Sequence, residues 1–128
     1  MIDAVYWGLF FDEFDLPIGT LERKVPHKHV TFGYKTPMPE DLVGKKSLVK
    51  VVGLGKDQNN EAYAVLLDQS VWKYFNGDPI SSPHITLSLS SDGKAKDSRF
   101  LDFHLFPEDE RFDIVGTFGY FDGEKYNF

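Results

Sequence analysis

The chain holds only four histidines, and two of them open the same short pattern. Residues 26–32 read Pro-His-Lys-His-Val-Thr-Phe, and residues 83–87 read Pro-His-Ile-Thr-Leu. Each contains a His and a Thr two positions apart, with a β-branched residue between them: His29-Val30-Thr31 and His84-Ile85-Thr86. On a strand, side chains two positions apart share a face, about 6.6 Å from one another along the chain. His29 and Thr31 are therefore expected on one face and Val30 and Phe32 on the other. By the same alternation His84, Thr86, Ser88 and Ser90 share a face opposite Ile85, Leu87 and Leu89. The apolar faces are suited to a core and the polar faces to a cleft.

Two such units suit phosphoryl transfer to water. Hydrolysis of a phosphodiester needs a base to take a proton from water and an acid to protonate the departing oxygen. Two imidazoles near neutral pKa can divide that work, one neutral and one protonated. Charge that develops on the non-bridging oxygens needs fixed donors, and the hydroxyls of Thr31 and Thr86 supply them. The scheme calls for no metal and no other cofactor.

Several further residues fall near the pattern. Tyr34 and Lys35 follow the first motif, and Lys35 by alternation shares the face of His29 and Thr31. Ser88 continues the face of His84 and Thr86. Lys94 and Ser98 lie in the loop after the second motif, within reach of a phosphate or ribose. A nucleobase would need an aromatic platform, for which Tyr6, Trp7, Phe10, Phe11 and Trp72 are candidates. His27-Lys28-His29 also places two imidazoles two apart, as in some metal hydrolases, with His84 or His104 as a third ligand. That grouping leaves the second His-x-Thr unexplained. His104, among apolar neighbours, reads as structural.

The elements that must position these residues read mainly as strands. Apolar or alternating runs cover residues 4–11, 29–35, 47–54, 61–67, 84–90, 100–106 and 112–121. Residues 55–60, Gly-Lys-Asp-Gln-Asn-Asn, have the composition of a hairpin loop. Helix signals are few: one turn near residues 39–43 closed by Gly44, and another over 69–75 with Asp68 as its N-cap. Pro26, Pro37, Pro39, Pro79 and Pro83 fall between the runs, as turn residues do. Connections this short favour antiparallel pairing.

Composition bounds the rest. The 128 residues carry a net charge of −6 and include 12 Phe, 6 Tyr and 2 Trp. That size and apolar content predict one packed domain over residues 1–128. The chain has no Cys, which excludes disulfides, a thiolate zinc site and a thiol nucleophile. Its start, Met1-Ile2-Asp3, lacks the basic opening of a secretory signal, so a cytoplasmic protein without membrane partners is expected. The acidic balance argues against broad binding to nucleic acid. A small nucleotide or an RNA end is the expected substrate.

The paired motifs resemble those of the two-histidine (2H) phosphoesterase superfamily, in which two His-x-Ser/Thr strands face each other across a cleft. His29-Val30-Thr31-Phe32-Gly33-Tyr34-Lys35 is similar to the first motif of the cyclic phosphodiesterase domain of fungal and plant-type tRNA ligases. Gly44-Lys45-Lys46 and the strands after it resemble that group's middle region. His84-Ile85-Thr86-Leu87-Ser88 with Gly93-Lys94-Ala95-Lys96-Asp97-Ser98 resembles its second motif and the basic loop after it. Gly116-Thr117-Phe118-Gly119-Tyr120-Phe121 has a counterpart near the end. Ala95 and Arg99 stand where the family often has Pro and Asn, and the interval before His29 is too short for the long helix of bacterial members. These departures suggest a minimal, viral-type version.

The resemblance implies an α+β, two-lobed, mostly antiparallel β-rich fold with pseudo-two-fold symmetry and few short helices. It implies hydrolysis of a cyclic nucleotide or RNA-end phosphodiester, foremost a 2′,3′-cyclic phosphate to a 2′-phosphate. His84 would then activate water and His29 would protonate the leaving oxygen, with Thr31 and Thr86 holding the phosphate. The alternatives are a phage-type hydrolase of cyclic oligonucleotide signals and a non-catalytic nucleotide-binding module using the same cleft.

Overall fold

The computed structural model describes residues 1–75 and 82–128, so Pro79 lies outside the described residues. Among the described residues nine strands make one sheet: β1 (Tyr6–Phe10), β2 (Arg23–Lys24), β3 (His29–Tyr34), β4 (Lys46–Lys56), β5 (Asn60–Leu67), β6 (His84–Leu89), β7 (Phe103–Leu105), β8 (Phe112–Phe121) and β9 (Tyr126–Asn127). The order is β2-β6-β5-β4-β8-β1-β3, with β7 on β4 and β9 on β8. All the pairings are antiparallel. Among the described residues the helical parts are short 3-10 turns, including Glu40–Leu42 and Gln69–Tyr74. The coarse expectation of a β-rich antiparallel fold with few short helices holds. No helix among the described residues is long and apolar enough to cross a membrane.

The long strands β4 and β8 pair at the centre, and each His-x-Thr strand stands second out from that pair: β8-β1-β3 on one side, β4-β5-β6 on the other. Although β3 and β6 are far apart in this order, they approach to within 8 Å between Cα atoms. The sheet thus curls until its two histidine strands are neighbours. Trp7, Leu9, Val30 and Phe32 from one side join Val49, Val51, Ile85 and Leu87 from the other in a contiguous core. Burying a Val, Leu, Ile or Phe side chain contributes about 1.5–3 kcal/mol, so this shared core fixes the approach of the two halves.

Local differences from the sequence reading have physical causes. The hairpin loop is only three residues long, because β4 continues through Gly55 and Lys56. Gly55 stays in the strand because Leu101 and Phe103 occupy the space over its Cα, where a Cβ would lie 3.0 and 2.9 Å from them. Asp57 closes the loop, its carboxylate accepting from the backbone N–H of Asn59 and Asn60, both at 2.8 Å. The two-residue strands β2 and β9 were invisible to an apolar-run criterion, being Arg-Lys and Tyr-Asn. Asp68 does cap the turn at Gln69–Tyr74, accepting from Ser70 N at 2.9 Å.

Candidate active site

The His29 half is built on β1. The register sets His29 opposite Phe10, Thr31 opposite Gly8 and Tyr34 opposite Tyr6. The imidazole lies against Tyr6, with ring centroids 4.7 Å apart and planes 19° apart, and against Phe10 at 4.9 Å and 29°. Gly8 stands between those two rings on the same face of β1. A Cβ there would overlap the Val30 carbonyl oxygen, so any side chain would push β3 away. Nδ1 of His29 lies 2.9 Å from the carbonyl oxygen of His27. A carbonyl only accepts, so Nδ1 carries the proton and the neutral ring keeps its lone pair on Nε2. Burial pushes the His29 pKa down to about 4; the bond to His27 opposes that, and the nearby His84 and His27 add to it.

The His84 half repeats the arrangement on β5. His84 stands opposite Ala64 and Thr86 opposite Ala62. Nδ1 of His84 lies 3.0 Å from the carbonyl oxygen of Ser82, again two residues upstream, which fixes the same tautomer. Burial lowers the His84 pKa, the bond to Ser82 raises it and the positive charge of Arg99 lowers it further. The approach of β3 and β6 to within 8 Å between Cα atoms brings the two histidine strands together, and the charge of Arg99 acts on His84.

The two motifs share a second feature. In each pair the register slips just after the Thr, leaving Phe32 and Leu87 as the extra residues of β-bulges. A bulge shifts every later side chain to the opposite face. Two expectations are corrected by it. Tyr34, not Lys35, continues the face of His29 and Thr31; Lys35 leaves the strand at φ 55° with its ammonium 5.5 Å above the Tyr34 ring. Ser88 faces away from His84 and Thr86, opposite Glu61. There its hydroxyl donates to the Glu61 carboxylate at 2.8 Å and accepts from Leu21 N at 3.1 Å, a buried structural contact.

Ser98 is corrected too. It is wholly buried and reaches the site only through Thr86, their hydroxyl oxygens 2.9 Å apart. The Asn60 amide donates to Ser98 Oγ at 3.0 Å and to the Lys94 carbonyl at 2.8 Å. With that amide donating into Ser98, the Ser98 hydroxyl can give its own proton to Thr86 and leave the Thr86 O–H for a ligand. Lys94 keeps an exposed side chain at the head of the turn Ala95–Phe100. Thr31 is exposed on the His29 face of β3.

Of the aromatic candidates, Trp7, Phe10 and Phe11 are buried, and Tyr6 and Phe10 carry His29 rather than present a free platform. Trp72 is more exposed, its ring packed edge-on to Phe75. His27 does not share a strand face with His29. It adopts φ 50° and stacks on Tyr126 at 4.0 Å. Among the described residues no three His, Asp or Glu side chains gather as metal ligands would.

Asn60 and Tyr126 escaped the sequence reading, which noted Arg99 only as a departure from the family pattern. Asn60 had one available signal, an amide at the start of an apolar strand, where Asn is depleted; Arg99 had its place directly after Ser98. No protein-family model matches this chain, and no curated protein matches it. The functional reading therefore rests on the geometry and on the paired motif.

Proposed function

We propose that this cleft hydrolyses a phosphodiester in a small nucleotide or at an RNA end, by acid–base catalysis between His29 and His84. A 2′,3′-cyclic phosphate is the foremost substrate. The observation that carries the reading is the matched tautomer. Both imidazoles give their Nδ1 proton to the carbonyl two residues upstream, at 2.9 and 3.0 Å, which reserves both Nε2 atoms for proton transfer. A structural histidine has no need of this arrangement twice on neighbouring strands. The mirrored order β3-β1-β8 and β4-β5-β6 also supports the two-lobed, pseudo-symmetric 2H fold.

In the proposed reaction His29 Nε2 takes a proton from water as the oxygen attacks phosphorus. Protonated His84 then gives its Nε2 proton to the 3′ oxygen as the P–O3′ bond breaks, leaving a 2′-phosphate. The hydroxyls of Thr31 and Thr86 donate to the non-bridging oxygens, and Arg99 adds positive potential. These roles reverse the order implied by the family resemblance. Their basis is the apolar bed of Tyr6 and Phe10 against His29, which disfavours its charged form.

The test is a panel of 2′,3′-cyclic mononucleotides, cyclic-phosphate-ended RNA and cyclic oligonucleotides, with products identified by mass. His29→Ala and His84→Ala should each lower turnover by about 10²–10⁴-fold, in the range of general acid–base contributions. A nitrophenyl phosphodiester separates the roles, because nitrophenolate departs without a proton: His84→Ala should retain most of that activity and His29→Ala should lose it. Recovery of every ligand chemically unchanged would replace the enzyme with a binding module.

A further inference from the structure

The last strand of the chain is tied to His29 by contacts that the proposed chemistry does not use. Tyr126 in β9 stacks on the His27 ring at 4.0 Å, and its hydroxyl is 2.7 Å from that of Tyr6. It also meets Phe10 edge-on at 5.5 Å and packs against Phe121 at 4.8 Å. One side chain thus touches the residue whose carbonyl fixes the His29 tautomer and both rings on which His29 lies. Tyr126 itself is not among the rings stacked on His29.

The state of His27 makes this arrangement consequential. At φ 50° it occupies the left-handed region, which costs a residue with a Cβ free energy and persists only where its surroundings impose it. In that state its ring is stacked on Tyr126. If the ring is released, the backbone can return to an ordinary conformation and turn its carbonyl away from His29 Nδ1. His84 has the same bond to Ser82, and among the described residues no aromatic ring stacks on it, which makes it an internal control.

We propose that Tyr126 is a positioning residue for His29, holding from β9 both the carbonyl that fixes its tautomer and the rings that support it. The inference deepens the two-histidine reading and rests on it for its functional meaning, although its structural content can be measured without a substrate. The titratable groups that face His29 are Tyr6, His27 and His84.

The experiment is nitrogen-15 NMR of the histidine rings in the full chain at neutral pH. Wild-type protein should show His29 and His84 both in the Nδ1–H form. Tyr126→Ala should convert His29 to a mixture of tautomers while His84 stays as it was. Tyr126→Phe, which retains the stack, should restore the single His29 form. Should Tyr126→Ala not fold, His27→Ala and His27→Gly decide the matter. Alanine is expected to lose the His29 tautomer, and glycine, which accepts positive φ, to keep it. An unchanged His29 tautomer in folded Tyr126→Ala, or in His27→Ala where that variant decides, overturns the proposal. A wild-type protein that turns over no substrate, yet shows the His29 response, would retain the positioning role and discard the enzymatic reading.

Discussion

Acid should weaken this fold through His29. Its ring is half-buried against Tyr6 and Phe10, and burial holds its pKa at about 4 against 6.5 for a free imidazole. The unfolded chain therefore takes up a proton that the native state refuses. Stability is complete above about pH 6.5 and declines as the pH falls toward 4, where the native ring also protonates. At about 1.4 kcal/mol per pH unit, the interval between 6.5 and about 4 corresponds to roughly 3 kcal/mol. Some 2 kcal/mol of that is already lost by about pH 5, against a total of about 5–15 kcal/mol for a typical domain. The comparison is His29→Gln, whose amide does not titrate. Urea unfolding of both proteins at pH 7 and pH 5 isolates the effect, because His84 and the carboxylates are common to both. Wild type should lose about 2 kcal/mol more than the variant over that interval. Equal losses would refute the idea that the aromatic bed keeps His29 neutral, and the assignment of His29 as the base would lose its support.

Three further outcomes are expected from particular contacts. Ser98→Ala strands the buried Thr86 hydroxyl and should cost about 1–3 kcal/mol in chemical denaturation, with turnover reduced because Thr86 loses its aim. Gly8→Ala forces a Cβ onto the Val30 carbonyl and should cost roughly 3 kcal/mol or more, visible as a lowered Tm and loss of the His29 ring-stacking shifts. Glu61 is held below the usual carboxylate range: burial acts to raise it, but the donors from Thr20 and Ser88 and the nearby Lys56 prevail. Its contribution should be present at neutral pH and be lost as the pH falls through that lowered value. Glu61→Gln should abolish this acid-limb component of denaturation while leaving turnover intact, since Glu61 and Ser88 face away from the two histidines.

Most of the framework was legible because it depends on local pattern. Alternation in His29-Val30-Thr31-Phe32 and His84-Ile85-Thr86 marked both motif strands, while the apolar run at 100–106 shrank to the three residues of β7. The illegible features depend on partners. The bulges after Thr31 and Thr86 arise from pairing with β1 and β5, and each reverses the face of the side chains beyond it. Lys35 and Ser88 were misplaced for that single reason. Ser98 looked like an exposed loop residue because nothing local reveals the Asn60 amide 38 positions upstream that draws it inward. Tyr126 lies 120 positions from Tyr6, beyond any periodicity argument.

The same motif used twice still has to yield two different proton affinities if one histidine is to be base and the other acid. The strand geometry cannot distinguish them, since both have the same Nδ1 anchor and the same bulge. The difference comes from the residues across the pairing strand. Opposite the first motif stand Phe10, Gly8 and Tyr6, large rings around a gap, and His29 settles into an apolar bed that disfavours its charge. Opposite the second stand Ala64 and Ala62, which put no ring against His84, and burial and the charge of Arg99 lower its proton affinity. An anionic phosphate between the strands would raise the affinity of both imidazoles for a proton, while the aromatic bed under His29 stays as it was. The residues across the pairing strand would then set which of the two groups holds the proton. Exchanging the beds should test this: Phe10→Ala together with Ala64→Phe should bring the two NMR-measured pKa values closer or reverse their order. If His29 remained the lower by the original margin, the origin of the difference would lie outside the paired strands.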